Sequence, residues 1–482
     1  MSSSAPVTGR TAELFAPGRR GLSIGIIASI TLVAAESLAI GTVLPLVARE
    51  LGDLPLYGWV YTAFYLGHLV GIVLAGGALD RMPLRRPFAV GLGLFGIGLL
   101  AGGLAPSMPI LIAARFVQGL GGGALAPTAY VVIGRRLPER LQPPMFALMS
   151  AAWVAPGIIG PSIAAFVGAV TSWRWVFLGL LPLLVLAAIP ALRSLGGHDA
   201  PPQAAQPKRD KAAVRRLPNA LLAAAGAGLL IAALTSPEVL ALAAGSIAGV
   251  VLLLPAFRRL TPAGTLRLAP GVPAAVLLCG VMTFAFFAAD AYVALLLQTW
   301  RGTSPVLTGV VFTATTIAWS AGSWWQARRI EAWGQRRFVE LGFLCIVLGS
   351  ALTLPVASPL VPPWVAVFTW MLPGIGMGLM YSAVTLVVLR RTDVAEQGAA
   401  SSALQLADIL GTVLGTGIGG AITAAGIRAG GDGLGWALGA VFALSSALAA
   451  VGMVASRRLP GPEHREIRAG VGVRGPAGAA LD

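Results

Sequence analysis

Five ionisable side chains stand inside long apolar stretches of this sequence: Glu36, His68, Arg115, Asp290 and Asp408. An ionised side chain at the centre of a membrane helix costs about 2.5–3.5 kcal/mol on insertion scales, so such groups usually face a partner or a wet cavity. Burial in a low dielectric favours the neutral form of a carboxyl. A hydrogen ion and a cationic cargo would therefore compete for the oxygens of Glu36 or Asp290. On this reading Glu36 is the main proton and cation site, with a structural ion pair to Arg115 as the alternative. Asp290 takes the corresponding role in the second half of the chain, or else sits as a solvated residue at an outer mouth. Arg115 either tunes a neighbouring acid and binds anionic cargo groups, or serves helix–helix hydrogen bonding.

The elements that must carry these residues are apolar runs of membrane-spanning length. Hydrophobic residues make up 56% of the 482 positions and charged residues only 11%. A bilayer core about 30 Å thick needs about 20 apolar residues per helix. The runs predict fourteen spans, near 22–48, 56–79, 87–105, 108–133, 144–169, 174–192, 219–234, 238–256, 272–298, 305–326, 338–355, 364–389, 398–425 and 434–455. The expected fold class is an all-α polytopic membrane protein.

The formal charge of +15 has a pattern that excludes a nucleic-acid footprint. Arginines gather in the amino tail, in alternate connections such as Arg81, Arg85 and Arg86 or Arg135, Arg136 and Arg140, and in the carboxyl tail. Short cytoplasmic loops hold such an excess of cations. Both termini are thus expected in the cytoplasm, and the arginine-rich composition suggests a bacterial plasma membrane. The amino tail has no apolar core or cleavage site of a signal peptide, so the first span reads as a retained anchor. Cys279 and Cys345 both lie in apolar runs and give neither a disulfide framework nor a metal spacing. The glycine string Gly119 to Gly123 lacks the strand and lysine of a phosphate loop. No cofactor or metal is expected.

Six domains of organisation follow: a tail over 1–20, a six-helix bundle over 21–195, a Pro/Ala-rich basic linker over 196–218, two inserted helices over 219–257, a second six-helix bundle over 271–456, and a tail over 457–482. The linker composition suits a disordered or loosely helical segment. The halves echo one another. Glu36 precedes Pro45 in span 1 much as Asp290 precedes Gln298 in span 9, and spans 4 and 12 are both glycine-rich and end in a double arginine. Parallel repeats of this kind build transporters with the site between the halves. Many of the 62 glycines fall in the spans, where small residues let helix backbones approach closely.

With these motifs assembled, the chain resembles the major facilitator superfamily, and within it the fourteen-span drug:proton antiporters that include tetracycline and quaternary-ammonium efflux pumps. Gly76, Asp80, Arg81 and Arg85 fall on the positions of the family's cytoplasmic signature, with Pro83 and Leu84 departing from it. Arg115-Phe-Val-Gln118-Gly119 resembles the motif that puts an arginine in the cavity, and Glu36 to Pro45 is similar to an acid-to-Leu-Pro element. Trp173-Arg174-Trp175 with Pro182 fits the same group. In span 5 the antiporter motif keeps Gly160 and Pro161 but has Pro156 for a glycine and Ala164-Ala165 for a glycine pair. The resemblance implies a fold of two six-helix bundles plus two inserted helices. It also implies a monomer that exports small amphipathic compounds in exchange for protons by alternating access, with Asp80 latching the bundles. Export or flipping of a lipid, siderophore or secondary metabolite, and proton-coupled uptake, are the alternative functions. Family geometry would set spans 2 and 13 face to face, so that His68 and Asp408 either pair as a gate or are satisfied separately. Tyr292, Trp370 and Tyr381, with Phe284, Phe286, Phe287 and Met377, are expected to offer soft cavity surfaces to apolar cations.

Overall fold

The structure is a computed structural model that describes residues 7–79, 81–196, 211–393 and 396–461. Among these residues, fourteen helical segments are long and apolar enough to cross a membrane, and strands are absent. The protein is a multi-pass membrane protein. A short helix α1 (Val7–Leu14) precedes α2 (Arg20–Leu51), α3 (Tyr57–Leu79), α4 (Arg85–Gly103), α5 (Met108–Arg136) and α6 (Gln142–Val170). The sixth crossing is made by α7 (Arg174–Leu178) and α8 (Leu180–Ser194). Then come α9 (Lys211–Thr235) and α10 (Val239–Leu260), followed by α11 (Val272–Ala294), α12 (Pro305–Trp333), α13 (Gln335–Thr353), α14 (Val365–Arg391), α15 (Gln397–Ala429) and α16 (Gly433–Ala455).

The amino tail is partly helical: Leu14 is fully buried, and Glu13 accepts from Arg19 at 2.7 Å and from Arg140 at 2.5 Å. The hydrogen bond from Arg19, joined by Arg140, holds the Glu13 carboxyl below its usual range. Helix α9 starts at Lys211, within the segment read as disordered or loosely helical. The rest of the linker, from 197 to 210, and the carboxyl tail beyond 461 lie outside the described residues. Elsewhere helices outrun their apolar runs. Helix α12 continues to Trp333 through the exposed Arg328 and Arg329, since hydropathy marks the embedded part of a helix and not its end.

Helices α2 to α8 pack among themselves, as do α11 to α16, while α9 and α10 pack on each other and reach α3 and α15 through α9. Within each group the closest pairs are locked backbone against backbone. A Cβ on Gly119 of α5 would stand 2.0 Å from the Phe64 carbonyl oxygen, and one on Gly67 of α3 would stand 2.2 Å from that of Phe116. Helices α12 and α14 repeat the device: a Cβ on Gly378 would stand 2.1 Å from the Trp319 oxygen, and one on Gly322 would stand 2.6 Å from that of Ile375. In lipid, where apolar burial gives no drive between helices, this close approach supplies the packing.

Across the seam between the two groups, side-chain hydrogen bonds join close glycine contacts such as Gly58 against Gly420, where an added Cβ would stand 2.7 Å from the Gly420 Cα. The bridging hydrogen bonds run Ser162 Oγ to Thr313 Oγ1 at 3.0 Å, Thr313 Oγ1 to the Ile158 carbonyl at 3.0 Å, and Thr62 Oγ1 to Thr416 Oγ1 at 3.4 Å. All sit in the half of the molecule away from both termini, the distal half. There α11 ends in a π-turn over Leu295–Trp300, an uncommon element that often marks functional positions. Arg49 of α2 donates to the Gln298 carbonyl in that turn, and Gln298 Nε2 donates to the Thr42 carbonyl at 2.8 Å and to Thr308 Oγ1 at 3.1 Å. In the half nearer the termini, Tyr130 of α5 and Tyr381 of α14 are 51% and 38% exposed.

The Gln298 clasp gives a direct expectation. Gln298→Ala deletes both side-chain bonds to α2 and α12, at about 0.5–1.5 kcal/mol net per bond. Paired spin labels on distal residues Leu51 and Thr303 should then show a larger share of long distances than in the parent protein. An unchanged distance distribution would mean that the clasp does not hold the distal half shut.

Candidate functional site

Three carboxyl groups lie along the seam at membrane depth, and each is held by a different kind of partner. Glu36, on α2, is 1% exposed and ion-paired with Arg115 of α5. Arg115 also donates from Nη1 to Gln118 Oε1 at 2.7 Å and from Nε to the Val60 carbonyl at 3.3 Å, and its guanidinium lies 4.2 Å from the centre of the Phe64 ring. The glycines of the α3–α5 contact make this possible, because they bring the two backbones near enough for a side chain of α5 to bond a carbonyl of α3. The structure thus shows the ion pair that was the alternative for Glu36.

Asp290 of α11 accepts from the indole Nε1 of Trp370 at 2.9 Å. Trp370 is fully buried, stacked on Phe286 and edge-on to Phe442. It positions the acid and offers no open surface, so its expected place on the cavity wall is corrected. Tyr292 is corrected for the same reason: it is fully buried and donates to the Thr416 carbonyl at 2.6 Å, sealing α11 to α15 in the distal half. Tyr381 keeps an open surface and donates to Asp408 Oδ2 at 2.9 Å. Among the other aromatic candidates, Phe284 and Phe287 are half-buried, whereas Phe286 and Met377 are core.

His68 and Asp408 do not pair. His68 Nδ1 is turned into its own helix group, toward Gly122 and Val33, and is buried without a hydrogen-bond partner. Asp408 meanwhile has the Tyr381 hydroxyl. The tight α3–α5 contact decides this, for a Cβ on Gly123 would stand 2.1 Å from the His68 carbonyl, which fixes that side of α3 against α5. Of the signature after span 2, Asp80 lies outside the described residues, Arg81 and Arg85 are exposed, and Gly76 has open space around it. Pro161 is buried, and its carbonyl lies 3.0 Å from where a Gly309 Cβ would stand, so the Gly160-Pro161 element seats α6 against α12 across the seam.

Charge bookkeeping separates the three acids. The Glu36 carboxylate is compensated by a guanidinium, whereas Asp290 and Asp408 accept from neutral N–H and O–H donors. Two acids without a fixed counter-ion in one seam attract whichever cation enters it. The positions missed in the sequence are polar residues that look ordinary there: Gln298, Gln118 and the tyrosines Tyr57, Tyr61 and Tyr65. The last three had a legible signal, a spacing of four that aligns them on one helix face.

The sequence model of the Major Facilitator Superfamily matches residues 22–361. A probable multidrug-efflux transporter of Mycobacterium tuberculosis is 28% identical over 426 residues, covering 85% of this chain and 88% of its own length. An uncharacterized transporter of Escherichia coli is 27% identical, over 82% of this chain and 87% of its own. The fold is that of solved transporters. A mutant of the peptide transporter POT superposes with a TM-score of 0.67 at 15% identity, covering 95% of this chain and 100% of that one. A D-xylose-proton symporter superposes with a TM-score of 0.61 at 14% identity, covering 92% and 98%.

Proposed function

The chain belongs to the major facilitator superfamily, and from that premise we propose that it exports small amphipathic compounds across a bacterial plasma membrane in exchange for protons. It is a transporter, with a small-molecule substrate. The observation that carries the reading is the pair Asp290 and Asp408, half-buried acids at membrane depth whose hydrogen-bond donors are neutral. Either a proton or a cationic cargo supplies the missing positive charge, and the two exclude each other at one carboxylate. Multidrug efflux in relatives of similar length supports the class of cargo.

In this proposal the arginine-rich end that carries both termini is cytoplasmic, and a monomer suffices. In this reading the state with its distal half bridged, and with Tyr130 and Tyr381 exposed nearer the termini, faces the cytoplasm and is ready to load. Protonation of the acids from outside releases cargo there, and an inward proton draws on about 2.3 kcal/mol per 100 mV of membrane potential. Glu36, first read as the principal proton site, becomes the fixed half of an ion pair that shapes the field around the other two.

Inverted membrane vesicles with an imposed pH gradient test this. Ethidium accumulation is expected to collapse with a protonophore, and Asp290→Asn and Asp408→Asn are each expected to lower it about 10²-fold, the small end of what a positioned proton-transfer group contributes. Uptake that ignores the protonophore, or survives the double substitution, would sink the proposal. Gradient-independent movement of a fluorescent lipid would point to the flippase reading instead.

A further inference from the structure

Helix α3 carries Tyr57, Tyr61 and Tyr65 on one face, one turn apart, running from the distal end toward the middle of the membrane. Their hydroxyls are unlike those of Tyr292 and Tyr381, which have defined acceptors. The Tyr57 and Tyr61 hydroxyls are buried, lie near each other, and have no hydrogen-bond partner elsewhere. Buried polar atoms without partners are rare, and each asks for a reason such as a site that water fills. Other orphans lie nearby in the same helix group, Glu36 Oε2 and Gln118 Nε2.

The surroundings of the stripe are informative. The Tyr57 ring lies 6.1 Å from Tyr61 and 5.8 Å from Tyr292, and Tyr61 abuts α2 where a Gly41 Cβ would be 3.5 Å from its hydroxyl. All three tyrosines lie within electrostatic reach of Asp290. Tyr65 is also within reach of Glu36, Arg115 and Asp408. The stripe therefore leads from the sealed distal end toward Tyr65, which feels the charges of acids in both helix groups.

We propose that Tyr57, Tyr61 and Tyr65 form a hydroxyl file that, with water, carries protons between the distal face and the seam acids. This rests on the proton-exchange reading and names its route. Each phenol accepts a proton on its oxygen from the water on one side and releases its own hydrogen to the water on the other. No phenolate forms, and the file ends as it began, turned over. With the distal half shut, Tyr57 is packed between Tyr61 and Tyr292 and the file is dry, so protons do not leak while the cytoplasmic half is open. Parting of α3 from α15 and α11 would admit water to the idle hydroxyls.

The test uses the full-length protein in liposomes holding a pH-sensitive dye, with ethidium as cargo. Tyr61→Phe is expected to slow ethidium-dependent proton movement about tenfold, a modest part of what proton-transfer groups contribute, while leaving ethidium binding within about twofold. Tyr57→Phe should do the same. Because neither hydroxyl bonds a residue outside the file, both variants should keep close to the parent's thermal stability, which a merely structural role for the hydroxyl would not allow. Parent-like proton movement in the Tyr57→Phe/Tyr61→Phe double variant, with the parent coupled, would overturn the file and leave proton exchange standing. A parent protein that moves no protons with ethidium would overturn both.

Discussion

Glu36→Gln is expected to destabilise the protein by about 3–5 kcal/mol, the usual result of stranding one member of a buried ion pair. The substitution leaves Arg115 charged, 1% exposed and without its carboxylate. A guanidinium cannot shed its proton. The opposite change, Arg115→Met, should cost less, because a stranded carboxyl escapes by binding a proton. The double variant Glu36→Gln/Arg115→Met should recover most of the loss, since replacing both members of a buried pair is often near neutral. Apparent melting points and the folded fraction in detergent for the three variants measure the cycle. A Glu36→Gln protein as stable as its parent would show that the pair does not hold α2 to α5. The order of effects also bears on function, since transport lost in Glu36→Gln but restored in the double variant would come from misfolding and not from a lost proton site.

Gly119→Val is expected to abolish folded protein altogether. Already at the Cβ position the nearest atom is a backbone oxygen of Phe64 at 2.0 Å, with the His68 nitrogen at 3.0 Å. Overpacking commonly costs about 1–3 kcal/mol when side chains can shift. Here the obstacle is main chain on a helix that is pinned again at Gly123, so the upper end or beyond is expected. Gly93→Ala on α4 serves as the control, because nothing lies within 4 Å of its added carbon. Monodisperse yield after purification would report both, and a well-folded Gly119→Val protein would show that α3 and α5 separate readily.

Much of this architecture was legible in the residues because membrane insertion writes itself into the chain as apolar length and arginine placement. The spans around Glu36 and Asp290 fell where helices formed, and glycines spaced along span 4 marked it for close packing without naming its partner. The site was less legible for a physical reason: pairing depends on which way a helix is rotated, and hydropathy does not record rotation. His68 and Asp408 share a depth yet face different neighbours. Trp370 and Tyr292 read as cavity aromatics by type, but whether an aromatic lines a space or fills one is decided by Phe286, Phe442 and Thr416 around it. Gln298 carried no local signal, because its importance comes from a carbonyl 256 positions away in sequence.

The turn at Leu295–Trp300 has a further consequence. A single surplus residue in a helix swivels everything after it by about 100°. Because of that swivel, the Trp300 indole reaches the Ala357 carbonyl at 2.8 Å, and the Arg301 guanidinium reaches the carbonyls of Val356 at 2.7 Å and Val361 at 3.0 Å. The same phase offset that presents Gln298 to the opposite helices fastens the strap between α13 and α14 to its own. A one-residue deletion there would unfasten both at once, so the two holdings are geometrically geared to each other by an odd count of amino acids.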